Sequence, residues 1–229
     1  MTTRPKAKQP IAEQQVRSRQ RVADHGEVFT GEREVNAMLD LVEQETERID
    51  SRFLEPACGT GNFLAEILRR KLRVVAARYR RGRLDYERYG VLAVSSIYGI
   101  DILEDNVVAC RGRLLAIFDE AYRATFKSQA RDECVAAAAF ILSRNIIHGD
   151  ALTLKSVGEN PQPIIFSEWA LATGSLMKRR DFTFEELLAR AENKELALFA
   201  EGNREAFIPM PVKEYPLVHF LRVMNVSDE

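Results

Sequence analysis

Residues 51–68 have the sequence SRFLEPACGTGNFLAEIL. A short apolar segment at Phe53 and Leu54 leads into a turn with Gly59 and Gly61, and apolar residues then recur at helical spacing. A strand, a glycine turn and a helix in this order are typical of the opening unit of a nucleotide-binding α/β sheet. The turn lacks both the GxGxxG fingerprint and the lysine of a phosphate-binding loop. Taken alone, it is also compatible with a tight turn in an unrelated α/β protein.

Two later apolar segments each have an aspartate at or next to their last residue. SSIYGIDI (95–102) contains Asp101, and NIIHGD (145–150) ends at Asp150. Ligands of open α/β sheets bind at the carboxyl ends of the strands, so the glycine turn and both aspartates are expected at one edge. A single aspartate at a strand end is usually a turn residue. Three such sites in order favour a ligand site.

The alternation of strands and helices predicts an α/β fold with a mostly parallel sheet and helices on both faces. PIIFSEW (163–169) is expected to be a further strand, and residues 181–200 are expected to be helical. The predicted organisation has three parts. They are a flexible basic N-terminal arm at 1–20, a cofactor-binding domain at 21–175, and a helical C-terminal extension at 176–229 with a possible last strand.

Composition limits the class of protein. The 229 residues are 46% hydrophobic and 29% charged, with a formal net charge of -1, so there is no global basic excess. No apolar run reaches the length of a membrane span, and we expect a cytoplasmic protein that does not bind a membrane. The three cysteines are scattered and the three histidines lack metal-ligand spacing, so we expect neither disulfides nor a metal site.

Four segments resemble consecutive motifs of one family. HGEVFT (25–30), EPACGTGNFL (55–64), YGIDI (98–102) and HGDAL (148–152) are similar to motifs of the gamma-type N6-adenine DNA methyltransferases of restriction–modification systems. The resemblance covers roughly residues 20–155. It implies a Rossmann-like methyltransferase fold in truncated form, with S-adenosylmethionine as cofactor and DNA as partner.

The resemblance also implies roles for individual residues. Phe29 and Thr30 would contact the methionine end of the cofactor, Asp101 would bind the ribose, and Asp150 would bind the adenine. The remaining residues of the implied cofactor site surround these positions: Glu55, Pro56, Ala57, Cys58, Gly59, Gly61, Asn62, Phe63, Ile102 and Ala151.

The catalytic motif of that family, Asn/Asp-Pro-Pro-Tyr/Phe, does not occur in this chain. Its expected position is the end of PIIFSEW, where Ser167 and Glu168 could accept hydrogen bonds from a target amino group and Trp169 could stack on a flipped base. These three residues are the catalytic candidates. The alternative is that they close a strand whose catalytic end has been lost.

Several functions stay open at this point. One is an active DNA adenine methyltransferase, and another is a cofactor-binding subunit whose partner chain contributes the missing motif, target recognition, or both. A third is a catalytically degenerate regulatory scaffold, and a methyltransferase with another substrate is the fourth. Two basic stretches, at 69–83 and 178–180, are candidates for DNA contacts, although a solvated helix face also explains the first.

Overall fold

A parallel sheet forms the centre of the fold. The structure is a computed structural model that describes residues 18–25, 27–189 and 210–226. The strands β1 (Phe53–Glu55), β2 (Ile97–Asp101) and β3 (Ile146–Asp150) pair in parallel in the order β1-β2-β3. A short antiparallel strand, β4 (Lys155–Ser156), pairs with β3. The predicted α/β class with mostly parallel strands is confirmed, and this arrangement is compatible with a Rossmann-like fold.

Helices precede and connect these strands. They are α1 (Arg19–His25), α2 (Glu32–Asp40), α3 (Glu43–Glu47), α4 (Asn62–Tyr79), α5 (Arg83–Ser95), α6 (Glu104–Phe126) and α7 (Asp132–Asn145). The apolar residues of α4 recur every three or four positions, so Leu64, Leu68 and Val75 share one face and are buried. This face lies on β2, where a Cβ on Gly99 would be 3.0 Å from Leu64. None of the helices in the described ranges is long and apolar enough to cross a bilayer.

A second, antiparallel sheet covers part of the other face of β2. The strands β5 (Ile165–Leu171) and β6 (Leu176–Thr183) form a hairpin, and the short strands β7 (Lys213–Glu214) and β8 (Val218–His219) pair with β6. Tyr98 and Ile100 of β2 pack with Phe166 of the hairpin in a separate apolar cluster. The predicted helices on both faces did not include this antiparallel sheet, which covers part of one face of β2 together with Leu187 of the helical residues 184–189.

The C-terminal part of the chain differs from the predicted helical extension. Residues up to Thr183 belong to β6, residues 184–189 are helical, and the rest of the predicted helix lies outside the described ranges. The possible last strand is limited to β8 and continues as a 3-10 helix at Phe220–Asn225. The predicted boundary at 175 and 176 falls at the hairpin turn. Of the predicted N-terminal arm, residues 1–17 are not described and α1 begins at Arg19.

Candidate ligand-binding site

Two glycines in left-handed conformations shape the turn after β1. Gly59 has φ +53° and Gly61 has φ +83°. A Cβ on Gly61 would lie 2.6 Å from the Sγ of Cys110, and one on Gly59 would lie 3.0 Å from the ring of Phe29. Both positions therefore require glycine, for backbone conformation and for space. The turn leads directly into Asn62, the first residue of α4.

Asp101 connects this turn to the end of β2. Its Oδ2 accepts a hydrogen bond from the N–H of Gly59 at 2.7 Å. Its Oδ1 accepts from the N–H of Leu103 at 2.9 Å and from Nδ2 of Asn106 at 3.2 Å. An ionised carboxylate offers about four acceptor positions, so these three contacts leave capacity for a ligand hydroxyl.

Residues 27–30, here called the strap, lie at the glycine turn. The ring of Phe29 occupies the space beside Gly59. The carbonyl of Thr30 accepts a hydrogen bond from Nδ2 of Asn62 at 2.8 Å, and Arg113 of α6 donates to Oδ1 of the same side chain at 2.5 Å. Asn62 therefore joins the strap, α4 and α6.

Asp150 ends β3 in a tight turn. Its Oδ1 accepts a hydrogen bond from the N–H of Leu152 at 2.9 Å, and this bond lowers the pKa of the carboxyl. The preceding residue, Gly149, has no room for a side chain, because a Cβ there would lie 2.6 Å from Ile164. An ionised carboxylate is therefore held at the third strand end.

These elements line a cavity of about 510 Å³. Small-molecule sites have volumes of roughly 300–1,000 Å³. Thirteen of the fourteen residues predicted to bind the cofactor line it: Phe29, Thr30, Glu55, Pro56, Ala57, Cys58, Gly59, Asn62, Phe63, Asp101, Ile102, Asp150 and Ala151. The exception, Gly61, packs against Cys110 and shapes the turn.

Six lining residues were not among those predicted. They are Glu27, Val28, Leu103, Asn106, Gly149 and Leu152. Four of them, Glu27, Val28, Gly149 and Leu152, lie inside the motifs HGEVFT and HGDAL, and Leu103 directly follows YGIDI. Asn106 lies outside the motifs, five residues after Asp101 in the first turn of α6, where its side chain reaches the aspartate.

The cavity is acidic. Four carboxylates line it, from Glu27, Glu55, Asp101 and Asp150, and none of its described lining residues is a lysine, arginine or histidine. Glu27 is paired with Arg21 outside the lining, so three carboxylates supply the charge. Burial raises the pKa of Glu55, against the opposing effect of a hydrogen bond from the backbone of Ala57. This electrostatic environment stabilises a cationic ligand and disfavours a phosphate.

We expect the affinity for a cationic ligand to fall as the pH is lowered, beginning above the usual range of a carboxyl. Because its pKa is raised, Glu55 takes up its proton above the usual range of a carboxyl, and the cavity then loses negative charge. Glu55→Gln should bind more weakly at alkaline pH and should lose this part of the pH dependence. Titration calorimetry across the range measures both effects. A variant with the wild-type pH slope would show that Glu55 is not the titrating group.

The three catalytic candidates do not line this cavity. Ser167, Glu168 and Trp169 lie in the middle of β5, so the expectation that they end a strand of the parallel sheet is wrong. Ser167 Oγ donates to Asp181 at 2.7 Å, and Trp169 Nε1 donates to Asn145 at 3.0 Å. Both groups join β5 to neighbouring elements.

Glu168 also takes part in local pairing. It forms ion pairs with Arg52 at 2.5 Å and with Arg180 at 2.5 Å. Burial would raise the pKa of this carboxyl, but the two arginines outweigh that effect and the pKa is lowered. These contacts give the three candidates a packing role, and because they lie inside β5 they do not close a strand, as the alternative expected.

The two basic stretches are only partly exposed. In the first, Arg70 and Lys71 are buried within α4, whereas Arg69, Arg73, Arg78, Arg80 and Arg81 are exposed, as expected of a solvated helix face. In the second, Arg179 is buried, while Lys178 and Arg180 form ion pairs with glutamates on neighbouring strands. The stretches therefore give no specific support for DNA contacts.

The cysteine at the cavity does not have the properties of a nucleophile. The neighbouring thiol of Cys110 and burial both raise the pKa of Cys58, so it stays protonated at neutral pH. In the described ranges, no group of three or more His, Cys, Asp or Glu side chains is arranged to hold a metal ion.

The fold and the site together define an α/β protein with an acidic ligand cavity at the carboxyl ends of its parallel strands. No protein-family profile matches the sequence, and neither a curated protein nor a solved structure matches the chain significantly. The methyltransferase resemblance therefore depends on the four sequence motifs, and the function is argued from the cavity.

Proposed function

We propose that this chain binds S-adenosylmethionine and is the cofactor-binding part of a DNA adenine-N6 methyltransferase of a restriction–modification or defence system. The observation that carries the proposal is the group of three carboxylates, from Glu55, Asp101 and Asp150, at the ends of the parallel strands, in a lining whose described residues include no lysine or arginine. The fourth lining carboxylate, Glu27, is paired with Arg21. S-adenosylmethionine has a sulfonium and an ammonium against one carboxylate, so its net charge is complementary to this cavity. When bound, it supplies the methyl group that is transferred.

The residues present fit this ligand. Asp101 has acceptor capacity for ribose hydroxyls, and Asp150 can accept a hydrogen bond from the adenine amino group. Glu55 would face the positive groups of the methionine part. The N-terminus of α4, beginning at Asn62, offers backbone N–H groups for the ligand carboxylate.

A second chain completes the enzyme in this proposal. The described residues bring no side chain of the predicted catalytic set to the cavity, since Ser167, Glu168 and Trp169 are engaged in the second sheet. Among the described strands, β1 has β2 on one side and none on the other. We therefore assign to a partner chain the acceptors for the target amino group and the recognition of DNA.

Calorimetric titration with S-adenosylmethionine and with ATP tests the cofactor assignment. Both ligands contain adenosine, but the triphosphate is repelled by the acidic cavity. We expect S-adenosylmethionine to bind and ATP to bind at least about 100-fold more weakly, a difference of about 2.7 kcal/mol. Neutral adenosine is the matched control, and its affinity should lie between those of S-adenosylmethionine and ATP. Tighter binding of ATP, or no binding of S-adenosylmethionine, would contradict the assignment.

Transfer of a labelled methyl group to unmethylated DNA tests the second part of the proposal. The purified chain alone should transfer none, whereas a mixture with a subunit that contains the Asn/Asp-Pro-Pro-Tyr/Phe motif should methylate adenine. Adenine methylation by the chain alone would refute the need for a partner and leave the cofactor assignment intact.

A further inference from the structure

Arg21 lies on α1, outside the cavity, and contacts the first residue of the strap. We infer that Arg21 is a positioning residue, which holds the strap against the cavity through Glu27 and so sets ligand affinity without touching the ligand. The inference rests on the proposed function for the identity of the ligand. The geometry of the strap is independent of that identity.

The guanidinium of Arg21 bridges two acidic side chains. Its Nε and Nη2 donate to the two carboxylate oxygens of Glu27 at 2.7 and 2.8 Å. Its Nη1 and Nη2 donate to the two oxygens of Asp105 at 2.8 and 3.1 Å. Bidentate pairs of this kind fix direction as well as distance. The strap is therefore joined to the first turn of α6.

Glu27 continues this connection into the cavity. Its side chain is 6% exposed and lines the cavity. Asn106 donates through Nδ2 to Glu27 at 2.8 Å and to Asp101 at 3.2 Å. A chain of polar contacts thus runs from Arg21 through Glu27 and Asn106 to Asp101, the residue proposed to bind the ribose. A buried carboxylate that loses its cationic partner is destabilised, so removal of Arg21 favours movement of Glu27 toward water.

Residues of the apolar core do not hold the start of the strap in place. Among the described residues, no member of either apolar cluster precedes Val35 in the sequence. The start of the strap therefore depends on polar contacts, while its end is held independently by the hydrogen bond between Asn62 and Thr30. Loss of Arg21 should release one end of the strap and leave the sheet folded.

The test compares Arg21→Ala with Arg81→Ala, which removes an exposed arginine just after α4. We expect Arg21→Ala to bind S-adenosylmethionine at least about tenfold more weakly than the control. Without ligand, amide exchange across residues 27–30 should be faster in Arg21→Ala, and the thermal unfolding midpoints should agree. Arg21→Lys should restore only part of the affinity, because an ammonium cannot make two bidentate pairs.

The outcomes separate this inference from the proposed function. Equal affinity and equal exchange in Arg21→Ala and Arg81→Ala would overturn the positioning role. If the wild-type protein does not bind S-adenosylmethionine, the proposed ligand is wrong, and the exchange comparison still decides the role of Arg21. Unchanged exchange at the strap overturns the inference in that case, while faster exchange in Arg21→Ala supports it.

Discussion

Asp101→Ala is expected to lower the affinity for S-adenosylmethionine by at least about 100-fold, because each hydrogen bond to a charged group contributes about 1.5–3 kcal/mol. The carboxylate has two functions at once in this geometry. It offers acceptor capacity to the ribose hydroxyls, and it holds the glycine turn through the N–H of Gly59 at 2.7 Å. The substitution removes the ligand contact and also releases the turn that approaches the ligand. Titration calorimetry measures the loss.

Glu104→Gln is the matched control for Asp101→Ala. Glu104 is exposed in the first turn of α6 and does not line the cavity, so its loss changes local charge alone. Asp101→Asn adds a further comparison. One of its side-chain positions becomes a donor that faces the N–H of either Gly59 or Leu103, so this variant should also bind weakly. Affinity of Asp101→Ala equal to that of Glu104→Gln would remove Asp101 from the site.

Lys71→Met is expected to lower the free energy of unfolding by about 3 kcal/mol. The side chain of Lys71 is fully buried, and its Nζ donates to the carbonyls of Arg48, Ile49 and Ser51 at 2.9, 3.1 and 2.5 Å. These carbonyls belong to the segment that leads into β1. Methionine has a similar length and an apolar stem, so the substitution isolates the loss of the three hydrogen bonds from the loss of volume.

Urea denaturation gives this effect as a shift of the midpoint at an unchanged slope. Arg73→Met is the control on the same helix, because Arg73 is 66% exposed and its ion pair with Glu66 is on the surface. Its effect should stay within about 0.5 kcal/mol. A midpoint for Lys71→Met that matches that of Arg73→Met would show that the three carbonyls find other donors.

The sequence indicated the position of Asp101, but it did not indicate the burial of Lys71. Asp101 stands in a motif, and its position at the end of a parallel strand follows from strand periodicity and from the edge at which such sheets bind ligands. Lys71 lies in a basic stretch whose pattern predicts a solvated helix face or a DNA contact. The structure buries it, because the carbonyls before β1 require a donor that local sequence does not reveal.

The sequence alone determined the three parallel strands, the glycine turn and two of the acidic strand ends. Each depends on local rules, which are apolar segments of strand length, backbone conformations that favour glycine, and the meeting of strand ends at one edge. These rules pointed to the glycine turn and to the two aspartates, whereas the full set of thirteen predicted residues that line the cavity was named through the resemblance to the methyltransferase motifs.

Tertiary structure alone decided the second sheet and the support of the strap. PIIFSEW is a strand by its composition, but its partner β6 and its buried contacts with Asp181 and Asn145 depend on how distant segments pack. The contact of Arg21 with Asp105 joins residues 84 positions apart. Such pairs carry no local periodicity or motif, because they form between side chains whose proximity is set by the packing of whole elements. The fold therefore places Glu27 and Asn106 at the cavity and Arg21 outside it in contact with Glu27, and it places Ser167, Glu168 and Trp169 elsewhere.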